Sequence, residues 1–182
     1  MRIVSGKCKG RVIIPPKNLR ARPTTDFAKE NIFNVLGNLI DFEGIEALDL
    51  FAGTGSISYE LASRGAAGVV AVEINAVHYN FIRATAAALG LQAIHPIKAN
   101  VFLYLKSTEK QFDLIFSDAP YDLEGAEAVV ELVFGRSLLR KDGLLVFEEA
   151  GKYDFSTHPY FMQARSYGSV HFSIFRNGTE EK

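Results

Sequence analysis

From residue 45 onward, short apolar runs alternate with stretches of helical spacing, and this alternation is the strongest constraint on the fold. Five of the runs are strand candidates, at 47–51, 68–72, 93–97, 112–116 and 144–147. Glycines stop several of the helix candidates between them, which lie near 56–64, 76–89, 100–108 and 124–136. Strands that alternate with helices favour a parallel sheet with helices on both faces. The pattern therefore predicts a doubly wound α/β fold.

The two ends of the chain depart from this alternation. Residues 161–166 and 169–175 are aromatic and β-branched runs with no helix between them, so an antiparallel hairpin should finish the sheet. Residues 2–4 and 10–14 are short strand candidates, which predict a small β-hairpin extension at the N-terminus. Segment 24–39 has N-cap residues followed by apolar residues at helical spacing. We expect a mostly parallel, seven-stranded sheet that ends in an antiparallel hairpin.

Length and composition favour a single domain. A chain of 182 residues with 48% hydrophobic content can bury a substantial core but is short for two domains. We divide residues 1–182 into a basic N-terminal hairpin and arm (1–23), an α/β core (24–176) and a polar tail (177–182). We expect this domain to be a monomer.

Several classes of protein are disfavoured by what the sequence lacks. The single cysteine, Cys8, and the absence of a charged-then-apolar leader predict no disulfide and a cytoplasmic protein. No window reaches the roughly 18 apolar residues that a membrane span needs. The four histidines have no metal-ligand spacing, so we expect no metal site.

Charge is distributed unevenly along the chain. Residues 1–29 carry eight Lys or Arg against one Asp, a charge of +7, whereas the whole chain has a net charge of −1. Such a segment can bind a polyanion by neutralising its phosphates. The alternative is that the N-terminal segment is positively charged and solvated and binds no partner. The basic side chains that we expect to contact such a polyanion are those of Arg2, Lys7, Lys9, Arg11, Arg20 and Arg22.

A glycine-rich turn, Asp49-Leu50-Phe51-Ala52-Gly53-Thr54-Gly55, follows the first strand candidate. Gly53 and Gly55 allow a tight turn and a close approach of the backbone to a ligand. The turn follows the carboxyl end of a strand, where open α/β sheets bind ligands. Glu73 ends the second strand candidate, where an acidic side chain accepts hydrogen bonds from ribose hydroxyls. These residues predict a nucleoside site.

Two features of this turn distinguish between nucleosides. The dinucleotide-binding fingerprint has a third glycine, but Ser58 stands in its place. The carboxylate of Asp49 would repel a pyrophosphate, whereas it suits the cationic amino-acid end of S-adenosylmethionine. We therefore predict that S-adenosylmethionine is the cofactor.

A second motif, Ser117-Asp118-Ala119-Pro120-Tyr121, follows the fourth strand candidate and so lies at the same edge of the sheet. An exocyclic base amine is a poor nucleophile that becomes transiently cationic when it is methylated. The Asp118 carboxylate and the Ala119 carbonyl can accept its two N–H groups and stabilise that charge. Pro120 would keep the loop rigid, and Tyr121 would stack on the base.

Three motifs together resemble the RsmD family, bacterial methyltransferases of a guanine N2 amine in small-subunit rRNA. They are Arg22-Pro23-Thr24-Thr25 before a helix with Glu30, Phe33 and Asn34, the turn at 49–55, and the loop at 118–121. The resemblance spans almost the whole chain. It implies a Rossmann-like class I fold that uses S-adenosylmethionine, with the basic arm over the active site.

By this resemblance, seven residues bind the cofactor, namely Asp49, Phe51, Gly53, Gly55, Glu73, Asn100 and Val101. The loop at 118–121 would handle the guanine, and small-subunit rRNA would be the partner, in an assembled or assembling particle. The chain departs from the family in three places. Ala119 replaces a proline, Asn100-Val101 replaces an Asp-Ala pair, and Phe27-Ala28-Lys29 lies where the family tends to carry arginine.

Three functions stay open at this point. The first is methylation of guanine N2 in small-subunit rRNA. The second is methylation of adenine N6 in DNA or RNA, because the same loop chemistry serves either amine. The third is a non-enzymatic protein that binds the cofactor and RNA and has lost turnover through Ala119.

Overall fold

The computed structural model describes residues 1–19 and 25–178. Along the chain, its helices are α1 (Asp26–Leu36), α2 (Ser56–Ser63), α3 (Ala76–Ala88), α4 (Val101–Ser107) and α5 (Ala128–Gly135). Its strands are β1 (Glu46–Leu50), β2 (Gly68–Glu73), β3 (Ile94–Lys98), β4 (Phe112–Asp118), β5 (Leu139–Glu149), β6 (Phe161–Tyr167) and β7 (Val170–Arg176). Helices and strands alternate from β1 to β5, as the apolar runs predict.

The seven strands form a single sheet in the order β3-β2-β1-β4-β5-β7-β6. The strands from β3 to β5 are parallel, whereas β7 runs antiparallel to both β5 and β6. The predicted mostly parallel sheet with a terminal antiparallel hairpin is thus confirmed. Strand order reverses between β1 and β4, and ligands bind beside such a reversal, outside the carboxyl ends of the strands.

The alternation of side chains along each strand produces two cores, one on each face of the sheet. On one face, Ala47, Phe116 and Val146 pack with apolar residues of α1, α2 and α3. On the other face, Leu48 and Ile115 pack with α4 and α5. Strands covered on both faces explain why the runs are continuously apolar rather than alternating.

Two element boundaries differ from the prediction by four residues or more. Strand β5 begins at Leu139 rather than 144, because Leu139 pairs with Phe112 across an irregularity before Leu144 pairs with Leu114. Residues 140–143, which lie between these two pairings, are polar or glycine, so the apolar pattern did not include them. Helix α5 begins at Ala128 rather than 124, because Gly125 adopts a φ of 75° in the preceding turn.

The N-terminal hairpin is shorter than predicted. Its pairing consists of one antiparallel bridge between Arg2 and Val12, flanked by hydrogen bonds from Ile3 N to Arg11 O (3.0 Å) and from Ile13 N to Met1 O (2.9 Å). Isoleucines 3 and 13 belong to the core on the α1 side of the sheet. The hairpin is therefore part of the folded domain and does not extend into solvent.

Glu60 of α2 anchors this N-terminal segment. Its buried carboxylate accepts hydrogen bonds from the backbone N–H groups of Val4 (2.8 Å) and Ser5 (3.0 Å). Arg64 Nε donates to the same carboxylate at 2.8 Å, and the Nζ of buried Lys29 lies 3.8 Å from it. The carboxylate thus neutralises buried charge and satisfies two backbone donors.

Removing this carboxylate should be strongly destabilising. We expect Glu60→Ala to lower the free energy of unfolding by about 3–5 kcal/mol, because it leaves the Lys29 ammonium buried without its nearest buried counterion. Chemical denaturation monitored by circular dichroism measures the effect. Glu109→Ala removes an exposed glutamate and is the control. A loss for Glu60→Ala no larger than that of the control would contradict this assignment.

Candidate active site

A cavity of about 580 Å³ opens at the carboxyl ends of the central strands. Such a volume accommodates a small ligand or cofactor. The two sequence motifs meet in it, because its wall includes ten of the predicted site residues: Asp49, Phe51, Gly53, Glu73, Asn100, Val101, Asp118, Ala119, Pro120 and Tyr121. Strands β1 and β4 bring the glycine-rich turn and the Asp118 loop, far apart in the sequence, onto one rim.

Asp49 is a buried carboxylate in the cavity wall, with an exposed fraction of 1%. Its Oδ2 accepts hydrogen bonds from Ser58 N (3.0 Å) and Ser58 Oγ (2.6 Å). Burial raises the pKa of Asp49 to about 7, the Ser58 bonds oppose the increase, and the negative charges of Asp118 and Glu73 add to it. The site is therefore suited to a cation, which would stabilise the ionised form.

The glycine-rich turn contains three residues with left-handed backbone, Phe51 (φ 59°), Gly53 (φ 56°) and Gly55 (φ 88°). A left-handed Phe is uncommon and marks a strained position next to the site. The Phe51 ring packs edge-on against Phe102, with centroids 6.2 Å apart. This ring contact helps to hold Phe51 in a left-handed conformation that a Phe residue by itself would not favour.

Gly55 has a packing role besides the cofactor contact that the sequence predicts. It does not line the cavity, unlike Gly53. A Cβ at Gly55 would lie 2.7 Å from Cζ of the buried Tyr59 ring. Gly55 is therefore required for the packing of the turn on α2, and its contact with a cofactor stays a prediction.

Glu73 holds the turn from the neighbouring strand. Its Oε2 accepts a hydrogen bond from Gly53 N at 2.7 Å, and its Oε1 accepts one from Asn75 N at 2.8 Å. His78 Nδ1 lies 4.0 Å from Oε2. Glu73 thus sits at the cavity wall with its orientation fixed, at the end of β2 where the sequence places an acceptor for a ribose.

Asn100 and Val101 form the start of α4 and another part of the wall. Asn100 Oδ1 caps the helix by accepting a hydrogen bond from Leu103 N at 3.1 Å. An amide oxygen has two lone pairs, so it can accept a second bond from a ligand amine. The role predicted for Asn100 is compatible with its role as a cap.

The Asp118 loop is fixed by contacts with the next strand. Asp118 is in register with Glu148 at the ends of β4 and β5. Tyr121 Oη donates to Glu148 Oε1 at 3.4 Å, and Lys152 Nζ donates to the Tyr121 carbonyl. Ala119 is buried, with an exposed fraction of 4%. The loop is thus ordered by side chains as well as by Pro120.

The cavity wall also contains twelve residues that were not predicted as site residues, among them Thr25, Ile74, His78, Glu148 and Ser169. Two of them had a signal in the sequence. Ile74 is an apolar residue directly after Glu73, and it is 64% exposed. Glu148 is a carboxylate at the end of an apolar strand run, the same pattern that identified Asp118.

The structure describes four of the six basic residues that are predicted to contact RNA. Arg2, Lys7, Lys9 and Arg11 are exposed, and the predictions for Arg20 and Arg22 lie outside the described residues. The Thr54 hydroxyl contacts Met1 Sδ at 4.0 Å, so the arm touches the cavity wall.

Lys29, which contributes to the charge of +7 in residues 1–29, is buried with an exposed fraction of 1%. Burial lowers its pKa, and its Nζ donates to Arg2 O (2.6 Å) and Ser56 Oγ (3.1 Å). Lys29 is therefore part of the scaffold and not of an RNA-binding surface.

Two kinds of feature do not occur in residues 1–19 and 25–178. No helix there combines the length and the apolarity that crossing a bilayer requires. No three His, Cys, Asp or Glu side chains of these ranges come together as metal ligands would.

Comparison with protein families identifies the chain. The family model described as "Conserved hypothetical protein 95", which represents the RsmD family, matches residues 1–176. The chain belongs to the RsmD family. The resemblance seen in the three sequence motifs is thereby confirmed.

Two curated relatives carry the name "Ribosomal RNA small subunit methyltransferase D". The protein of Buchnera aphidicola subsp. Baizongia pistaciae is 28% identical over 97% of this chain and 92% of its own length. The protein of Escherichia coli K12 is 30% identical over 81% of this chain and 74% of its own length. This RsmD-family chain thus matches most of the length of both relatives.

A solved structure from Thermus thermophilus shows the same fold. It is described as a 16S rRNA N2 methyltransferase (RsmC) in complex with AdoMet and guanosine. Its TM-score is 0.70 at 21% identity, over 87% of this chain and 44% of that chain. The RsmD-family chain therefore has the Rossmann-like fold of S-adenosylmethionine-dependent methyltransferases, as predicted.

The raised pKa of Asp49 predicts a pH-dependent cost in stability. Between pH 3.8 and about 7, the folded chain keeps a proton on Asp49 that the unfolded chain has lost. The contribution of Asp49 to the free energy of unfolding therefore falls as the pH rises through this window and stays low above it. We expect Asp49→Asn, with no ligand added, to increase the free energy of unfolding at pH 8 by about 1–3 kcal/mol.

Thermal unfolding at pH 4 and pH 8 measures this effect, and about 1 kcal/mol corresponds to a Tm increase of about 2–4 °C. Asn keeps an acceptor for Ser58, so the hydrogen bonding of the site is preserved. Asp41→Asn changes an exposed carboxylate and is the control. An equal increase in Tm at both pH values would show that the charge of Asp49 is not the cause.

Proposed function

We propose that this chain transfers a methyl group from S-adenosylmethionine to the exocyclic N2 amine of a guanine in small-subunit rRNA. One observation carries the proposal: the Asp49 turn and the Asp118 loop open into the same cavity. The names of the curated relatives support an rRNA substrate. The Thermus structure, which has this fold and was solved with AdoMet and guanosine, supports the pairing of this cofactor with guanine.

The residues of the cavity fit the cofactor. The buried Asp49 carboxylate matches a cationic amino-acid group, and a cation there would lower its raised pKa. Glu73 can accept from ribose hydroxyls, while Ile74 and Val101 offer apolar surface to an adenine. Asn100 Oδ1 can accept from the adenine amine. When bound, S-adenosylmethionine supplies a methyl group on a sulfonium, which makes the methyl group electrophilic.

The Asp118 loop performs the chemistry on the base. The Asp118 carboxylate and the Ala119 carbonyl accept hydrogen bonds from the target amine and stabilise the positive charge that develops on its nitrogen. With the cofactor bound, the amine nitrogen would take the methyl group from the sulfonium, and the Asp118 carboxylate would accept the proton that the amine loses. Tyr121 stacks on the base. The Ala119 carbonyl is available as it would be in a proline, so the family departure at this position leaves the acceptor in place.

The RNA is held by the exposed basic residues of the arm, and the target base is unpaired. A small chain has little surface with which to open a duplex, so a preformed single-stranded loop gives the amine access to the cavity. The substrate is small-subunit rRNA in an assembled or assembling particle, bound by a monomer in the cytoplasm. Met1, next to the exposed Arg2, contacts Thr54 of the cavity wall, whereas the backbone N–H of Lys7 donates to Ser63 at the other end of α2.

Methyl transfer tests the proposal directly. Labelled S-adenosylmethionine is incubated with small-subunit particles and naked rRNA from unmodified cells, and the labelled nucleoside is then identified. We expect N2-methylguanosine from the wild type and a rate at least about 10²-fold lower from Asp118→Ala, which loses an acceptor for the developing charge. Asp41→Ala, at the opposite end of β1, is the control.

Other products would support the alternative functions. Label in N6-methyladenosine would assign the chain to adenine methylation. Cofactor binding with no label in either substrate would indicate a protein that binds the cofactor and RNA without turnover.

The salt dependence of RNA binding tests the arm. Each lost phosphate contact should reduce the slope of log K against log salt by about 0.7 for single-stranded RNA, so we expect the double variant Lys7→Ala/Lys9→Ala to reduce it by about 1.4. Fluorescence anisotropy from low to physiological salt measures the slope. Lys106→Ala/Lys141→Ala removes two exposed lysines elsewhere and is the matched control. Equal slopes for the two double variants would refute the role of the arm.

A further inference from the structure

We propose that Glu148 is a specificity-determining residue that reads the Watson–Crick edge of the target base. Its carboxylate accepts the N1–H of guanine while Asp118 accepts from the N2 amine. The inference rests on the proposed function and deepens it, because it states how the site distinguishes guanine from adenine.

Strand register places the two carboxylates side by side. Asp118 and Glu148 are partners at the carboxyl ends of the parallel strands β4 and β5, which run about 4.8 Å apart. Phe116 and Val146, two residues earlier, belong to the same core cluster, so Asp118 and Glu148 project from the same face of the sheet. Both line the cavity. Two neighbouring acceptors therefore face the place where the base enters.

The Glu148 side chain is buried and oriented. Its exposed fraction is 3%, and Tyr121 Oη donates to Oε1 at 3.4 Å. On the other side of β5, it is in register with the buried Phe172 of β7. An aromatic neighbour on one side and Tyr121 on the other limit where the carboxylate can point. The hydrogen bond with Tyr121 also couples it to the residue that stacks on the base.

This pair of acceptors matches guanine and opposes adenine. The Watson–Crick edge of guanine carries donors on N1 and on N2, so two carboxylates can each accept an N–H group. Adenine has an amine on C6 but a lone pair on N1, which a carboxylate would repel.

Most of the discrimination between guanine and adenine should come from buried polar groups of the site that adenine would leave without a hydrogen bond. A site built to hydrogen-bond a substrate N–H rejects an analogue that lacks it far more strongly than an apolar pocket rejects a wrong shape. Glu148 meets this condition because it is buried in the wall and not exposed at the rim.

A substrate analogue removes the donor on N1. 2-Aminopurine carries the same amine on C2 but has a lone pair on N1 in place of the N–H group, and it also lacks the C6 carbonyl of guanine, so the Glu148→Gln variant is needed to assign the effect to N1. It is placed at the target position of an RNA segment whose methylated guanine has first been mapped with the wild type. kcat and KM are measured for the guanine and 2-aminopurine RNAs, and the Kd of each RNA is measured without cofactor.

We expect the wild type to prefer the guanine RNA in kcat/KM by on the order of 10²-fold. Glu148→Gln should lose at least about 10-fold on guanine and gain on 2-aminopurine, because the amide can donate an N–H group to N1. The ratio of the two kcat/KM values should therefore change by more than about 10-fold. Glu149→Gln is the control, since Glu149 is a neighbouring buried glutamate outside the wall of this cavity.

The outcomes separate the inference from the proposed function. Failure of the wild type to methylate any rRNA guanine would refute the proposed function. Methylation of guanine N2 with equal kcat/KM on both RNAs would overturn the role of Glu148 alone, and this result needs no variant to fold. Equal losses on both RNAs for Glu148→Gln would show that Glu148 only orients Tyr121.

Discussion

The buried carboxylate of Asp49 is the constraint on which the arrangement of the cavity depends. It lies next to the last residue of β1, at the point where strand order reverses, and its bonds to Ser58 fix the start of α2 beneath the glycine-rich turn. Gly55 must lack a side chain so that this turn can pack on Tyr59. Burial raises the pKa of Asp49 to about 7, so the ligand-free fold holds an unfavourable charge at neutral pH. A cation bound in the cavity offsets that cost, which links the stability of the domain to occupancy of the proposed cofactor site.

A second buried ionic group ties the N-terminal arm to the same region. Lys29 lies near Glu60 and donates to Arg2 O and to Ser56, the first residue of α2. The arm, the first helix and the glycine-rich turn therefore share one polar centre. RNA held by the exposed basic residues of the arm would be positioned relative to the cavity by the fold and not by a flexible tether.

The fold was largely predictable because its main signal is local. Continuous apolar runs that alternate with segments of helical periodicity are typical of strands covered by helices on both faces. All five of the predicted runs form parallel strands in the structure. Errors arose where tertiary contacts override the local pattern. The start of β5 is polar and pairs through an irregularity, and the N-terminal segment is held by Glu60 rather than by extended strand pairing.

The sequence by itself determined the fold class, the family and ten of the residues in the cavity wall. The glycine-rich turn, the acidic residue Glu73 and the Asp-Ala-Pro-Tyr loop each follow a strand in the sequence. Because parallel strands end at the same edge of a sheet, these motifs were expected to meet there. Only the tertiary structure decided which side chains of different strands lie next to each other at that edge of the sheet. It placed Glu148 beside Asp118, removed Lys29 from the RNA surface and gave Gly55 a packing role. The physical reason is that strand register and burial depend on contacts between residues distant in sequence, and no local pattern encodes them.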